Sequence, residues 1–132
     1  MSGALILDSD GLAKAVQRDR EVHEWLTAAR DADLPVIASA AVLVEVIHPR
    51  INDAALTWTL SRLRGEPVTQ ALAQSAASLL RATGLHGHKH AIDAMLCATA
   101  LARSGRVTIL TSDVEDITVL TSDHTRVTAE KV

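Results

Sequence analysis

Two short apolar runs that stop abruptly at carboxylates constrain the fold of this chain more than any other feature. Val107-Thr-Ile-Leu-Thr-Ser-Asp113-Val-Glu-Asp116 keeps to β-branched and aliphatic residues for about one strand length, then turns to hydroxyls and acids. A run of that kind suits a strand buried on both faces, as in a parallel sheet covered by helices. Ala4-Leu-Ile-Leu7 followed by Asp8-Ser-Asp10-Gly11 repeats the pattern near the start. Ligands of open parallel sheets bind beyond the carboxyl ends of the strands, so acids gathered there are candidates for chemistry rather than solubility.

Short apolar runs alternate with helical patterns along the rest of the chain, which is the α/β signature. Strands are expected near residues 4–7, 35–38, 67–69, 107–111 and 126–129, the last as an edge strand. Helices fill the gaps. One runs from Gly11 to Val16 and one, amphipathic, from Asp19 to Asp33, with Val22, Trp25, Leu26 and Ala29 on one face. Ser39 is expected to cap a largely buried helix over Ala40–His48 that stops before Pro49. Asp53 is expected to cap a helix reaching Arg64, and Thr69 or Gln70 to open one that Gly84 closes. After the segment His86-Gly-His-Lys-His90, read as a polar loop, Ala91–Ala102 is apolar nearly all round, and a short helix starts at Asp113.

With 132 residues, 48% of them hydrophobic, the chain suits one domain, 1–132, around one core. It has no basic leader and no apolar run near the roughly 20 residues of a membrane span, so a cytoplasmic protein with no membrane partner is expected. The lone Cys97, set among small apolar residues, is assigned to the core and given no chemistry. The net charge of −3 argues mildly against nucleic acid as a partner, but residues 54–112 carry six basic side chains against two acidic ones, which leaves room for a basic face beside an acidic cluster. Trp25 and Trp58 are the only aromatics besides histidine, too few for an extended base-stacking platform.

Glu45 and Asp93 are the most informative positions, because each is a lone acid in an otherwise apolar helix. An unpaired buried charge costs several kcal/mol. Lys89 stands one turn before Asp93 and offers a structural ion pair as the plain alternative, whereas Glu45 has no basic residue three or four positions away. Taken singly, Asp8 reads as a turn residue or helix cap, and Asp113 with Asp116 as acids favoured by a helix N-terminus. Taken together, two strand-end acids and two helix acids make a carboxylate cluster that needs a cation. Oxygen ligands without cysteine suit Mg²⁺ or Mn²⁺, which also bind phosphate oxygens, so the substrate class is a phosphate ester and the reaction its hydrolysis.

The ordered set Leu-Ile-Leu-Asp8, Glu45 within its apolar run, Ile-Asp93-Ala-Met-Leu-Cys-Ala-Thr-Ala and Leu-Thr-Ser-Asp113-Val-Glu-Asp116 resembles the PIN domain, and size and composition resemble its VapC-type toxin branch. The resemblance spans nearly the whole chain. It implies a three-layer α/β/α sandwich with a parallel sheet in the order 3-2-1-4-5, a Mg²⁺- or Mn²⁺-dependent endoribonuclease acting on RNA, and inhibition by a cognate antitoxin. Asp8, Glu45, Asp93 and Asp113 map onto the family's catalytic and metal-binding acids. Asp116 matches a further metal-binding acid, and Thr111 or Ser112 a supporting hydroxyl. Asp10 departs from the pattern, standing where a small polar residue is common, and is read as a cap of the following helix.

Two other readings compete. Ile6-Leu-Asp8-Ser-Asp10-Gly11 also opens haloacid-dehalogenase-type phosphatases, with Asp8 as nucleophile and Asp10 as acid/base, but the lysine required there has no convincing position and Glu45 and Asp93 go unexplained. A protein-binding module that kept the fold would leave the acids idle. His86, His88 and His90 could suggest zinc, yet a fourth ligand is lacking and the polar-loop reading is preferred. Leu56, Trp58, Leu60 and Leu63 put apolar residues on more than one face of their helix, from which a homodimer or an antitoxin complex is expected.

Overall fold

A computed structural model describes residues 3–132. Strands β1 (Ala4–Leu7), β2 (Val36–Ser39), β3 (Arg64–Glu66), β4 (Val107–Thr111) and β5 (Val127–Lys131) form one parallel sheet in the order 3-2-1-4-5, as the resemblance implies. The helices are α1 (Ser9–Val16), α2 (Arg20–Asp31), α3 (Leu43–Val46), α4 (Asp53–Ser61), α5 (Gln70–Thr83), α6 (Gly87–Leu101) and α7 (Val114–Leu120).

The chain moves outward from β1 through β2 to β3, then crosses back over the sheet to β4 and on to β5. Parallel crossovers are right-handed, so reversing the direction of travel puts the two groups of helices on opposite faces. Accordingly α1 packs with α2 and α4, whereas α5, α6 and α7 pack with one another. The reversal falls between β1 and β4, whose carboxyl ends lie side by side in register through Leu7 and Leu110. Ile6, Leu7, Ile37, Ile109 and Leu110 from the strands and Leu12, Val22, Leu96 and Ile117 from the helices are fully buried. Each contributes about 1.5–3 kcal/mol on burial, so these residues set the central strands before any polar contact acts.

Caps fix how the helices leave the sheet. The Asp8 carboxylate accepts from the Gly11 N–H at 2.7 Å and opens α1, Asp19 and Thr69 cap α2 and α5 in the same way, and Gly84 ends α5 with a left-handed φ of 72°. Arg126 donates to the carbonyls of Leu101 and Arg103 at 2.7 and 2.6 Å, which ties the exposed end of α6 to the entry of β5.

Four expectations are corrected. The third strand is Arg64-Gly65-Glu66 rather than residues 67–69, because an edge strand held by backbone pairing to β2 needs no apolar signature. It also takes Arg64 out of α4, which ends at Ser61 and is capped by Asn52 rather than Asp53. The apolar stretch from Ala40 is not a buried helix: it is a 3-10 turn over Ala40–Val42 and the single turn α3, with Val44 78% and Ile47 51% exposed and Glu45 exposed between them. Finally, His88 and His90 belong to the first turn of α6, with His86 at its N-cap position, rather than to a loop, and His90 is buried.

Gly11 permits the tight junction between α1 and β4. A Cβ there would stand 2.9 Å from the Leu110 carbonyl oxygen, a backbone atom that cannot swing aside. Alanine gains about 1 kcal/mol of helix propensity over glycine, but overpacking costs typically about 1–3 kcal/mol. Gly11→Ala is therefore expected to lower the urea midpoint despite improving the helix, and an unchanged or raised midpoint would show that the junction is not tight.

Candidate metal centre

Asp8 ends the central strand and is 6% exposed. Besides the Gly11 N–H, the Thr111 hydroxyl at the end of β4 lies beside its carboxylate and favours the charged form, and Thr111 Oγ1 accepts from the Asp113 N–H at 2.8 Å. Burial nevertheless raises the Asp8 pKa, outweighing these bonds, and nearby Asp10 adds to the rise. Thr111 thus stands between the acids that follow β1 and β4 at the reversal point.

Asp93 approaches from α6. It is half-buried, and its pKa is pushed up to about 6, first by burial and then by the charges of Asp113, Asp8, Asp116 and Glu45. That ordered set of neighbours defines the cluster: five carboxylates from β1, α3, α6 and the start of α7 share one field. Among the described residues Asp93 has no ion pair with Lys89, so the plain structural reading of Asp93 does not hold. The Asp113 carboxyl, exposed at the start of α7, is raised by desolvation and by the adjoining Asp116. Glu45 lies at the rim, where Ser9 Oγ donates to its Oε1.

Asp10 does not cap α1, a role that Asp8 fills; it sits exposed in the first turn and accepts from Ser112 Oγ. Ser112 therefore holds the rim while Thr111, fully buried, holds the floor. Cys97 lies one turn beyond Asp93, and burial, with Asp93 beside it, pushes its thiol up to about 12, which keeps it a protonated core residue.

The residue missed from the sequence is His90. Its ring is buried, and Nδ1 lies 3.3 Å from Asp116 Oδ2. Donor atoms of His90, Asp93 and Asp116 fall within 4.8 Å of one another. The spacing His90-x-x-Asp93, about one helical turn, was the signal available, and a kink in α6 at His90 (φ −115°, ψ 16°) accompanies it in the structure. Reading the three histidines together as a loop hid it.

No protein-family model matches the sequence, and no curated protein matches it. Solved structures that match in fold include the following two. VapBC2 from Rickettsia felis bound to a DNA fragment from its promoter aligns at a TM-score of 0.68 and 15% identity over 98% of both chains. FitAB bound to an IR36 DNA fragment aligns at 0.62 and 19% identity, over 96% of this chain and 94% of that one. These likenesses establish the PIN-like fold.

The raised acids fix a stability prediction. A carboxyl whose folded pKa lies above its unfolded value binds more protons in the folded state, so stability is greatest at low pH and falls as pH rises from about 3.8 to about 6. Asp93→Asn removes that loss. Without metal it is expected to exceed wild type at neutral pH by about 1 kcal/mol, after discounting for the half-exposed position, and to match it near pH 4. Glu45→Gln, at an exposed position, is expected to leave the midpoint unmoved. Urea titrations at the two pH values in chelator decide; an Asp93→Asn protein less stable at neutral pH would mean that a cationic partner holds this acid.

Proposed function

We propose that this chain is a Mg²⁺- or Mn²⁺-dependent endoribonuclease of VapC type that hydrolyses RNA phosphodiester bonds and is silenced by a cognate antitoxin. The observation that carries this reading is the convergence of Asp8, Glu45, Asp93, Asp113 and Asp116 where the sheet reverses, with no lysine or arginine paired to any of them among the described residues. Like charges gathered at that density lower stability unless a cation neutralises them. The donor set fits a divalent cation: carboxylate oxygens predominate, and the buried Nδ1 of His90 has no hydrogen-bond partner.

Asp8, Asp93, Asp113 and Asp116 would hold the metal, with Glu45 reaching in from the rim. A bound Mg²⁺ or Mn²⁺ polarises a phosphoryl oxygen and lowers the pKa of a bound water. The protein's own part is positional. The Gly11 N–H orients the Asp8 carboxylate, and Thr111, beside that carboxylate, holds the Asp113 backbone through its hydroxyl. Ser9 and Ser112 steer Glu45 and Asp10 at the mouth, where a backbone phosphate would enter.

The phosphatase alternative needs a lysine beside Asp8, and Lys14, Lys89 and Lys131 pair with none of the acids. An antitoxin partner is supported by the two similar structures, each of a two-component toxin–antitoxin assembly. A cleft of about 730 Å³ lined by Val16, Val46, Ile51 and Trp58 together with Arg18, His48 and Arg50 offers this partner a seat of mixed apolar and basic character. The same surface would serve a homodimer.

RNA cleavage is expected in Mg²⁺ or Mn²⁺ and none in chelator, with Asp8→Asn and Asp113→Asn each slowing it by about a hundredfold or more. A small phosphomonoester assayed in parallel is expected to survive. Its turnover beside intact RNA would establish the phosphatase instead.

A further inference from the structure

We infer that His90 is a nitrogen ligand of the metal held by Asp93 and Asp116, and that it shifts the preference of the site from Mg²⁺ toward first-row transition ions. This rests on the proposed metal-binding role of the acids and specifies which ion they receive.

His90 differs from the acids in being enclosed. Its side chain is 9% exposed, its Nδ1 is shut off from solvent, and that atom has no hydrogen-bond partner among the described residues. Buried imidazole nitrogens normally find one. Asp116 Oδ2 lies near, at 3.3 Å, but without the alignment of a hydrogen bond. Two donor atoms at this separation with no hydrogen bond between them are spaced as ligands of one ion are: bound at about 2.0–2.2 Å, such atoms stand about 3–4 Å apart. Asp93, three residues further along α6 and just past the kink at His90 (φ −115°, ψ 16°), supplies the third donor, and all three lie within 4.8 Å. The three come from two elements, α6 and α7, that pack against each other, so the arrangement does not depend on a loop.

The chemistry follows from the donor. Mg²⁺ is a hard ion that takes oxygen ligands and keeps its waters. An imidazole nitrogen gains it little, whereas affinity at mixed nitrogen and oxygen sites rises from Mn²⁺ along the first transition row. A site of acids alone would not discriminate in this way. His90 is thereby a specificity-determining ligand for the ion, set apart from His86 and His88, which are exposed.

Pulsed electron paramagnetic resonance of the full chain loaded with Mn²⁺ alone tests this directly, because a bound imidazole imprints nitrogen coupling on the Mn²⁺ signal. Coupling is expected in wild type and absent in His90→Leu. Calorimetric titration is expected to show Mn²⁺ affinity falling by about tenfold or more in that variant, with Mg²⁺ affinity changed by less than about twofold. His90→Gln, which keeps a polar side chain of similar length, repeats the measurement if the leucine variant does not fold. Mn²⁺ bound by wild type without nitrogen coupling overturns the inference and leaves the metal-dependent reading intact. Failure of wild type to bind either ion overturns both.

Discussion

A carboxylate buried at the end of the central strand is the constraint on which the rest of this molecule depends. Asp8 sits where β1, β4 and α1 meet, and a charge in that place needs the Gly11 N–H that donates to it and the Thr111 hydroxyl beside it, although burial still raises its pKa. Meeting that need shapes the surroundings. The helix must start at once after the strand, so residue 11 must lack a Cβ, which would stand 2.9 Å from the Leu110 carbonyl oxygen, and β4 must present a hydroxyl at its last position. The polar junction at the sheet's reversal point is thus fixed by the same bonds that fix the fold.

Around this junction the molecule does the reverse of what stability alone would favour. Surface acids can be offset by arginine or lysine at little cost, yet the basic side chains go elsewhere. Arg126 caps α6, and Arg18 and Arg62 lie over the Trp58 ring at 5.6 and 4.9 Å. The acids are left to one another and to His90. Desolvation and mutual repulsion both act on Asp93, in that order, and a shift to about 6 marks a group whose ionisation at neutral pH opposes folding. Such an arrangement is expected where a ligand supplies the missing charge, and not where packing is the only demand.

What could be read from the sequence follows the same division. β1 and β4 were legible because buried parallel strands must be apolar throughout, and the acids that end them were legible because they break the run. β3 was not: Arg64-Gly65-Glu66 is held by main-chain bonds to β2, and side chains carry no trace of that. Ala40–His48 misled in the opposite sense, since its apolar residues suggested a buried helix while Val44 and Ile47 face outward. Glu45 was placed in the cluster on a mistaken ground, burial, although its charge does reach Asp93. His90 was lost because histidines in a glycine-containing segment read as loop, and only the packing of α6 against α7 reveals that one of the three turns inward.

These differences also rank the acids by how firmly the fold holds them. Asp8 and Asp93 stand on elements whose cores are fully buried, β1 and α6, and moving either would disturb the sheet or its covering helix. Glu45 stands on a single helical turn with one buried residue, Val46, and is tethered by the Ser9 hydroxyl alone. Asp113 and Asp116 begin a helix of seven residues, linked inward through the Thr111 hydroxyl and outward to solvent. Local stability tracks buried contacts, so the rim acids belong to the parts of the molecule that open at least cost. A centre built this way has a rigid floor and an adjustable rim. Under the proposed ribonuclease reading, the floor sets where the cation sits and the rim yields to an RNA strand too large to enter a closed pocket.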